Sequence, residues 1–376
     1  MGKFLFEILH TSKKSKARVG KIYTPHGVID TPNFVAVGTN GTIKALDNVM
    51  VGSIGLQLMF CNTYHLLLQP GAELVQKAGG LHKFIQRDMP IITDSGGFQI
   101  FSLKYGSVAK ELKGSGIKQS EKLVLKIDEE GVLFRSYRDG SKLFLSAESS
   151  IDAQKKLGAD IIIPFDELLP YHIAKKDLKS SLDRTHRWEK RSLERHLENP
   201  SGQAIYAVIH GGIDKELREK SCLYLRDLPF DGYAIGGSLG KTKSEMVEML
   251  KDLMPLMPLD KPNHLLGIGD IPSIDMCLPL GMDTFDSSYP TRAARHGFLL
   301  REEGALKLSK TENSLIFTPI EKQCSCYTCQ HYTLSYLHHL YKAKEITALT
   351  LSTIHNLHFM VRKMQKVRLA ILEDML

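Results

Sequence analysis

Six apolar segments of this sequence each end directly before residues that can carry out acid–base chemistry or bring the backbone close to a ligand. Carboxylates follow three of the segments, a histidine follows a fourth, and glycines follow the other two. In chain order, these residues are Asp94, Asp166-Glu167, His210, Gly236-Gly237, Gly267-Ile268-Gly269 and Asp286. In a (β/α)8 barrel the C-terminal ends of all eight strands open onto one face, where catalytic residues lie. The pattern therefore predicts an active site at which three carboxylates converge.

Two carboxylates on one rim suit substitution at the anomeric carbon of a sugar. One acts as the nucleophile and forms a covalent intermediate, while the other acts as the general acid and base. A third carboxylate could accept the adjacent N–H and amino groups of a guanine-like edge, and a backbone N–H at Gly236-Gly237 could donate to the carbonyl oxygen. A single aspartate after a strand is more often a helix N-cap. The combination of three on one rim favours a site.

A second group of residues has the composition of a metal site. Cys324, Cys326 and Cys329 form a CxCxxC cluster, and clustered cysteines in a cytosolic protein indicate metal before disulfide. Tetrahedral zinc needs a fourth ligand, and spacing alone does not choose among the histidines that follow. The candidates are His331, His338, His339, His355 and His358. Three sulfurs and one imidazole would close the coordination shell, so we expect one structural Zn²⁺ per chain.

Regular elements must position these residues. Residues 31–37 and 56–60 are two further apolar runs, which bring the number of candidate strands to eight. Most gaps between the runs are long enough for a crossover helix, as parallel pairing requires. Residues 146–157, closed by Gly158, and residues 180–198 are examples of these helices. We therefore predict an α/β fold, a (β/α)8 TIM barrel.

Two parts of the chain interrupt this alternation of strands and helices. Residues 103–145 contain short alternating segments separated by turn residues, which predicts an antiparallel β insertion after the third barrel strand. The first twenty or so residues suggest another small β element. We predict a barrel catalytic domain over residues 1–319 and a zinc-binding helical subdomain over residues 320–376, packed on the barrel.

Composition limits the class of protein. The chain has 376 residues, of which 43% are hydrophobic, and a net charge of +7 from 49 basic and 42 acidic side chains. This modest excess permits nucleic-acid binding without requiring it. No apolar stretch is long enough for a membrane span, and the N-terminus lacks the apolar region of a signal peptide. We expect a cytoplasmic protein without a membrane partner.

The sequence resembles the tRNA-guanine transglycosylases from about residue 20 to about residue 365. The segments that carry the resemblance are Thr93-Asp94-Ser95-Gly96-Gly97-Phe98-Gln99, Phe165-Asp166-Glu167, Asp231-Gly232-Tyr233-Ala234-Ile235-Gly236-Gly237, Phe285-Asp286, Pro290-Thr291-Arg292, the three clustered cysteines and His355-Asn356. These motifs are long and occur in the family's order. The resemblance implies a zinc-bearing (β/α)8 barrel that is generally a homodimer. It also implies exchange of the wobble guanine of tRNA for a 7-deazaguanine base, queuine or preQ1, without ATP.

The resemblance assigns a role to each matched residue. Asp286 is the nucleophile that displaces guanine and holds the tRNA covalently, and Asp94 is the general acid and base. Asp166 reads the Watson–Crick edge of the base. Phe98 stacks on the base, and the Gly237 amide donates to the base carbonyl. Arg292 and Arg295 contact the anticodon loop. His355 is the fourth zinc ligand. Exchange requires the guanine to leave the stack, which costs little in a single-stranded loop.

Four positions depart from the bacterial pattern. Leu168 replaces a cysteine, His210 replaces a glutamine, Gly240 replaces a valine and Thr242 replaces a glutamate that is tied to recognition of the small aminomethyl base preQ1. Eukaryotic relatives, which use the bulkier queuine, also have glycine at position 240. On this basis we expect a wider pocket beside the 7-substituent of the base, with queuine favoured over preQ1.

Two other functions are compatible with parts of the sequence. A non-catalytic tRNA-binding partner subunit of the same fold would lack the catalytic carboxylates, whereas Asp94 and Asp286 are both present. A barrel glycosidase acting on sugars would leave the cysteine cluster and the pair Arg292 and Arg295 unexplained.

Overall fold

The computed structural model describes residues 4–99 and 123–376. The chain begins with an antiparallel sheet of three strands, which are β1 (Leu5–Thr11), β2 (Arg18–Thr24) and β3 (Gly27–Thr31). This sheet confirms the predicted N-terminal β element. Its β2–β3 connection is a tight turn, in which the Thr24 hydroxyl donates to the Gly27 carbonyl.

Eight parallel strands form the predicted closed barrel. They are β4 (Asn33–Val37), β5 (Met59–Cys61), β6 (Ile91–Thr93), β10 (Ile161–Ile162), β11 (Ala204–Ile209), β12 (Gly232–Ile235), β13 (Asn263–Leu265) and β14 (Thr284–Ser287). Each pairs with its neighbours along the chain, and β14 closes the barrel against β4 with Asp286 opposite Val35. The fourth strand is shorter than its apolar run, since only two residues of 160–165 are in the ladder. The C-terminal ends of all eight strands lie at the same rim of the barrel.

The strands between β6 and β10 belong to the predicted insertion. These strands, β7 (Val124–Ile127), β8 (Val132–Arg135) and β9 (Lys142–Leu145), pair as an antiparallel sheet. The Asp128 side chain accepts from two backbone N–H groups in the β7–β8 turn, which satisfies the turn locally. The part of the predicted insertion from residue 103 to residue 122 lies outside the described residues.

Helices cover the outside of the barrel. They are α1 (Asn48–Ile54), α2 (Thr63–Leu68), α3 (Ala72–Lys77), α4 (Leu81–Ile85), α5 (Ala147–Leu157), α6 (Lys175–Leu197), α7 (Lys215–Arg226), α8 (Lys243–Leu253), α9 (Ile271–Cys277) and α10 (Tyr289–Arg295). Helix α5 begins and ends where the sequence predicts, because Ser146 caps its N-terminus and Gly158 adopts the left-handed conformation at its C-terminus. Helix α6 begins five residues before the predicted Ser180. Its first turn is polar, and Ala174 provides no side-chain cap.

The C-terminal segment packs against the barrel. It contains a two-stranded sheet, β15 (Phe298–Leu299) and β16 (Leu306–Lys307), followed by α11 (Tyr327–His331), α12 (Leu334–Lys342) and α13 (Ile346–Leu372). Helix α13 contacts α10, α11, α12 and the barrel strand β4. The division of the chain after residue 319 stays a prediction. None of the helices in the part of the chain that the structure describes is long and apolar enough to cross a membrane.

Candidate active site and metal centre

Asp94 follows the last residue of β6 and is held on both carboxylate oxygens. The Thr63 N–H donates to Oδ1 at 2.7 Å, and the Asn62 and Gln99 amides donate to Oδ2 at 2.5 and 3.2 Å. Burial of this carboxyl raises its pKa to about 6, against the opposing effect of these donors. A carboxylate with this pKa can exchange a proton near neutral pH.

Asp166 lies beyond β10 and also has donors on both oxygens. Ser95, which follows Asp94 in sequence, donates its hydroxyl to Oδ1 at 2.5 Å. His210 Nε2, at the end of β11, lies 2.9 Å from Oδ2, and both side chains are buried. Gly97 lies so close to Asp166 that a Cβ would overlap its main-chain and side-chain oxygens. The glycine after Ser95-Gly96 is therefore required by the contact between these two loops.

The glycine pair after β12 packs closely on His210. A Cβ at Gly236 would lie 2.6 Å from Val208 Cγ1, and a Cβ at Gly237 would lie 3.0 Å from His210 Nδ1. Gly237 also has a φ of +81°, which favours glycine. The buried Arg218 of α7 donates to the carbonyl oxygens of Gly212 and Ser238, and so fixes the loops after β11 and β12 to each other.

Asp286 lies within β14 on the same rim. His264 Nε2 is 3.1 Å from Asp286 Oδ1, and the Gly267 N–H donates to the same oxygen at 2.7 Å. Thr284 Oγ1 lies 2.8 Å from the other ring nitrogen of His264, which orients the imidazole. Both contacts that the described residues make to Asp286 reach Oδ1, so the lone pairs of Oδ2 are not engaged by these donors. An ionised carboxylate with one bound and one open oxygen has the arrangement that a nucleophile needs.

The other residues that the sequence singled out lie around this rim. Phe98 follows Gly97 and is 49% exposed. Arg292 and Arg295 lie on α10, directly after the loop that follows Asp286, with Arg292 exposed and Arg295 half-buried. Leu168 lies in the loop after Asp166 and is half-buried. The described residues therefore bring Asp94, Asp166 and His210 together, with Asp286 and the two arginines farther round the same face.

A cavity of about 310 Å³ opens beside the glycine pair. Its lining includes His210, Gly237 and Ser238, and also Glu167 and Tyr171. The cavity is therefore continuous with the loops that hold Asp166, and it has both apolar and hydrogen-bonding walls.

The three clustered cysteines form a buried group that could hold a metal ion. The ligand atoms of Cys324, Cys326, Cys329 and His355 all lie within 4.8 Å of one another. His355 Nδ1 faces the three sulfurs at 3.4–3.8 Å, and its Nε2–H donates to the Leu300 carbonyl at 2.7 Å. That outer hydrogen bond fixes the tautomer that presents Nδ1 to the sulfurs, as is usual for metal-binding histidines.

The geometry separates the candidate histidines. Helix α13 returns over the cysteines and brings His355 into the cluster. His358 lies near its edge, with Nδ1 3.7 Å from Cys324 Sγ and Nε2 3.3 Å from Ser325 Oγ. His338 instead contacts the Leu308 carbonyl. In the described part of the chain, His355 is the histidine that completes a four-residue group with the cysteines.

Comparisons with known proteins agree with this arrangement. The family model described as "TGT: Queuine tRNA-ribosyltransferase" matches residues 12–376. The chain belongs to this family. It is 67% identical to the queuine tRNA-ribosyltransferase of Protochlamydia amoebophila over 373 residues, which cover 99% of this chain and 96% of that protein. It is 54% identical to the Chlamydia abortus protein of the same name over 370 residues, covering 98% of each chain.

Within the queuine tRNA-ribosyltransferase family, the loop after the glycine pair holds two of the four positions that depart from the bacterial pattern, Gly240 and Thr242. Gly240 has a φ of +104°, and a Cβ there would lie 2.8 Å from Glu245 Cβ. Thr242 caps α8 by accepting from the Glu245 N–H. Glu245 in turn accepts from the Lys241 N–H at 2.6 Å and from the Tyr171 hydroxyl at 3.1 Å. The missing side chain at Gly240 therefore makes room for Glu245, so the expected widening of the base pocket at this position does not follow from the geometry.

Several residues that hold the site were not assigned a role from sequence. Asn62, Gln99, Ser95 and His264 each contact a carboxylate, and Arg218 holds two loops. Ser95 and Gln99 lie within the segment 93–99, and Asn62 lies two residues after the apolar run 56–60, so position directly after or near a strand end was the available signal. Arg218 lies in a helix far from any motif and gave none.

Proposed function

We propose that this chain is a tRNA-guanine transglycosylase that exchanges the wobble guanine of tRNA for a 7-deazaguanine base. The observation that supports this most directly is the pair of differently held carboxylates. Asp286 has an open oxygen, while Asp94 is buried with its pKa raised to about 6. A non-catalytic partner subunit would not need either arrangement. Incorporation of labelled guanine into unmodified tRNA by the purified protein tests the activity.

The two carboxylates divide the reaction into two displacements. Asp286 Oδ2 attacks C1′ of the guanosine ribose, the C1′–N9 bond breaks, and protonated Asp94 donates its proton to the leaving guanine. The incoming base then loses its N9 proton to Asp94, attacks C1′ and breaks the Asp286–C1′ ester, which restores the carboxylate. Each step replaces one bond to C1′ by another, so no ATP is consumed.

The remaining contacts select the base and the RNA. Asp166 accepts from the N1–H and amino groups of the base, with Ser95 and His210 orienting its two oxygens. The Gly237 N–H donates to the base carbonyl, and Phe98 stacks on the ring. Arg292 and Arg295 extend from the same rim toward the anticodon loop, where phosphates and unstacked bases are accessible.

The raised pKa of Asp94 predicts the pH dependence of exchange. Only ionised Asp94 can take the N9 proton, so kcat/KM for the incoming base should rise as pH increases through about 6 and then level off. The profile can be measured between about pH 5 and pH 8. Asp94→Asn should lose both the activity and the rise of kcat/KM with pH. Asp139→Asn, a surface control, should retain both. A wild-type profile that is flat through pH 6 would contradict the role of Asp94.

We further propose queuine as the favoured incoming base. The relatives carry queuine in their names, and the cavity of about 310 Å³ beside His210 and Gly237 provides a volume for a bulky substituent. Glu167 and Tyr171 are also on its wall, where Glu167 is bound to Ser181 and Arg184 and the Tyr171 hydroxyl is bound to Glu245. The proposed preference for queuine over preQ1 rests on the volume of this cavity and not on the position of Gly240.

Narrowing this cavity should change the base preference. Ser238→Leu adds a branched side chain to the wall beside Gly237, and steric exclusion of this size alters discrimination by roughly 10–200-fold. We expect kcat/KM for queuine to fall by more than that for preQ1, measured by competition against labelled guanine. Ser53→Leu, at an exposed position of α1, is the matched control. Wild-type incorporation of preQ1 alone, or an equal effect of Ser238→Leu on both bases, would refute the proposal.

We propose that the metal in the cysteine cluster is a structural Zn²⁺. Three thiolates and one imidazole are the donors that zinc prefers, and they fill a tetrahedral shell without leaving a position for water. The cysteines of α11 and its preceding loop and His355 of α13 would hold the ion, so it would fix the C-terminal helices to each other. The cluster would supply folding energy and take no part in the base exchange.

We also propose that the protein is a homodimer that works in the cytoplasm. An aromatic patch, in which Phe317, Tyr327 and Tyr336 are exposed and Tyr332 is half-buried, supports the dimer together with the exposed Leu315. Leu315 and Phe317 are 75% and 71% exposed. The Tyr332 and Tyr336 rings stack at 5.6 Å. Large exposed side chains clustered in this way are typical of protein interfaces.

Disruption of the aromatic patch should weaken the dimer. Tyr336→Ala combined with Phe317→Ala removes two large contacts, and each such anchor commonly contributes more than about 1–2 kcal/mol to an interface. Light scattering at successive dilutions should give dimers for the wild type and monomers for the double variant at the same concentration. The exposed Leu259→Ala, outside the patch, should stay dimeric. Wild-type protein that is monomeric throughout would overturn the dimer, and a dimeric double variant would place the interface elsewhere.

A further inference from the structure

Two histidines and an aspartate meet at the opposite end of the barrel from the active site. Asp160 directly precedes β10, so it lies at the N-terminal end of the barrel strands. His26 lies in the β2–β3 turn of the N-terminal sheet, and His82 lies on α4. None of the steps of base exchange uses these three side chains.

The three side chains are in direct contact. His26 Nδ1 lies 2.8 Å from Asp160 Oδ1, and His82 Nε2 lies 3.0 Å from Oδ2. The two imidazole rings stack with their centroids 3.5 Å apart. The Ile91 N–H also donates to Asp160 Oδ2, and the His26 N–H donates to Oδ1. Burial opposes ionisation of Asp160, but these hydrogen bonds outweigh it and lower its pKa.

We propose that His26, His82 and Asp160 form a second metal site, which binds a divalent transition ion such as Zn²⁺ with water in the remaining position. Two imidazoles and one carboxylate are ligands that suit zinc and its neighbours in the first transition series. Their ligand atoms all lie within 4.8 Å of one another. Tetrahedral coordination with bonds of about 2.1 Å separates ligand atoms by about 3.4 Å, so the contacts of 2.8 and 3.0 Å to Asp160 must lengthen by roughly half an ångström when an ion binds.

Access and anchoring both favour this site. The His26 side chain is 40% exposed, whereas those of His82 and Asp160 are 9% and 0% exposed. An ion can therefore reach the group from the His26 side, while the other two ligands are already fixed. The buried Arg87 donates to the carbonyls of Leu56 and Pro90, so the Asp160 oxygens are shared between the imidazoles and the Ile91 and His26 N–H groups.

Metal binding requires two local changes. Each histidine must present a lone pair where it now faces the carboxylate, which a neutral imidazole achieves by moving its proton to the other ring nitrogen. The lone pairs of stacked parallel rings do not converge, so the exposed His26 ring must rotate out of the stack. The ion would then connect the N-terminal hairpin, α4 and the start of β10.

Metal counting with matched variants tests this site. Protein whose cysteine cluster is already filled with one Zn²⁺ is dialysed against excess Zn²⁺, washed, and analysed for metal and for melting temperature. The wild type should hold a second equivalent and melt at a higher temperature, because an ion that binds the folded state stabilises it. His26→Ala and His82→Ala should hold one equivalent and show no rise. His10→Ala, which removes another histidine paired to an aspartate, should behave as the wild type.

The two histidine variants also protect the test against misfolding. His26 is exposed and lies in a turn, so His26→Ala should fold even if His82→Ala does not. A wild type that holds one equivalent, or a second equivalent that His26→Ala retains, would overturn the proposal. The base-exchange activity is a separate readout, so failure here would leave the transglycosylase assignment unaffected.

Discussion

Asp286→Asn is expected to abolish base exchange while tRNA binding is retained. The amide that replaces the carboxylate cannot attack C1′, and loss of a nucleophile commonly costs more than about a thousandfold in rate. The hydrogen-bond acceptor for His264 and the Gly267 N–H stays in place as the amide oxygen, so the fold of the rim should be preserved. Labelled-guanine exchange and a tRNA gel-shift assay measure the two properties on the same preparation.

A matched change outside the site separates chemistry from stability. Asp275→Asn removes a surface carboxylate that pairs with Lys363, and it should leave exchange near the wild-type rate. Exchange by Asp286→Asn at more than about a tenth of the wild-type rate would be inconsistent with a nucleophilic Asp286.

Cys326→Ser, or removal of zinc by a chelator, is expected to have the largest effect on stability. A structural zinc site supplies about 10–16 kcal/mol to small zinc domains, and loss of one thiolate should lower the free energy of unfolding here by at least about 3 kcal/mol. Cys326 also caps α11 by accepting from the Cys329 N–H. A serine hydroxyl can keep that cap, so the variant isolates the contribution of the metal.

Metal content and thermal unfolding measure this effect together. The wild type should hold one tightly bound zinc, and Cys326→Ser should hold none at this cluster and melt at a lower temperature. Cys222→Ser alters a buried thiol that lies against Met257 and should keep the zinc. A metal-free Cys326→Ser protein with wild-type melting temperature and activity would refute a structural role.

The barrel could be predicted because its signal is local and repeated. Each strand is a short apolar run, and each run ends in residues with a distinct composition, such as Asp94 or His210. The caps of α5 at Ser146 and Gly158 were readable for the same reason, since capping depends on residues adjacent in sequence. The start of α6 was not, because its first polar turn has no capping side chain.

The internal support of the site could not be predicted because it depends on contacts between distant segments. Asn62 and Asp94 are 32 residues apart, and His210 and Asp166 are 44 apart. Only the barrel fold brings the members of each pair together, so the sequence alone does not indicate either contact. The fourth metal ligand shows the same limit. Spacing leaves five histidines open. The family resemblance points to His355, and the return of α13 over the cysteines gives the physical reason.

Gly240 shows how one observation on sequence can have a second physical explanation. Its lack of a side chain indicated a wider base pocket, but the absent Cβ points toward Glu245, and the positive φ demands glycine for the backbone itself. A Gly240→Val variant would therefore strain the loop whatever base is bound. Ser238, on the cavity wall, offers a cleaner test of base size.

Trapping the covalent intermediate tests the central claim most directly. The purified protein is incubated with unmodified tRNA without an incoming base, denatured, and analysed by intact mass and by peptide mapping after nuclease digestion. We expect one tRNA per reacting chain, with guanine released in equal amount and the ribose attached to the peptide that contains Asp286. Exchange that proceeds without any adduct, or an adduct on a different residue, would contradict the double displacement.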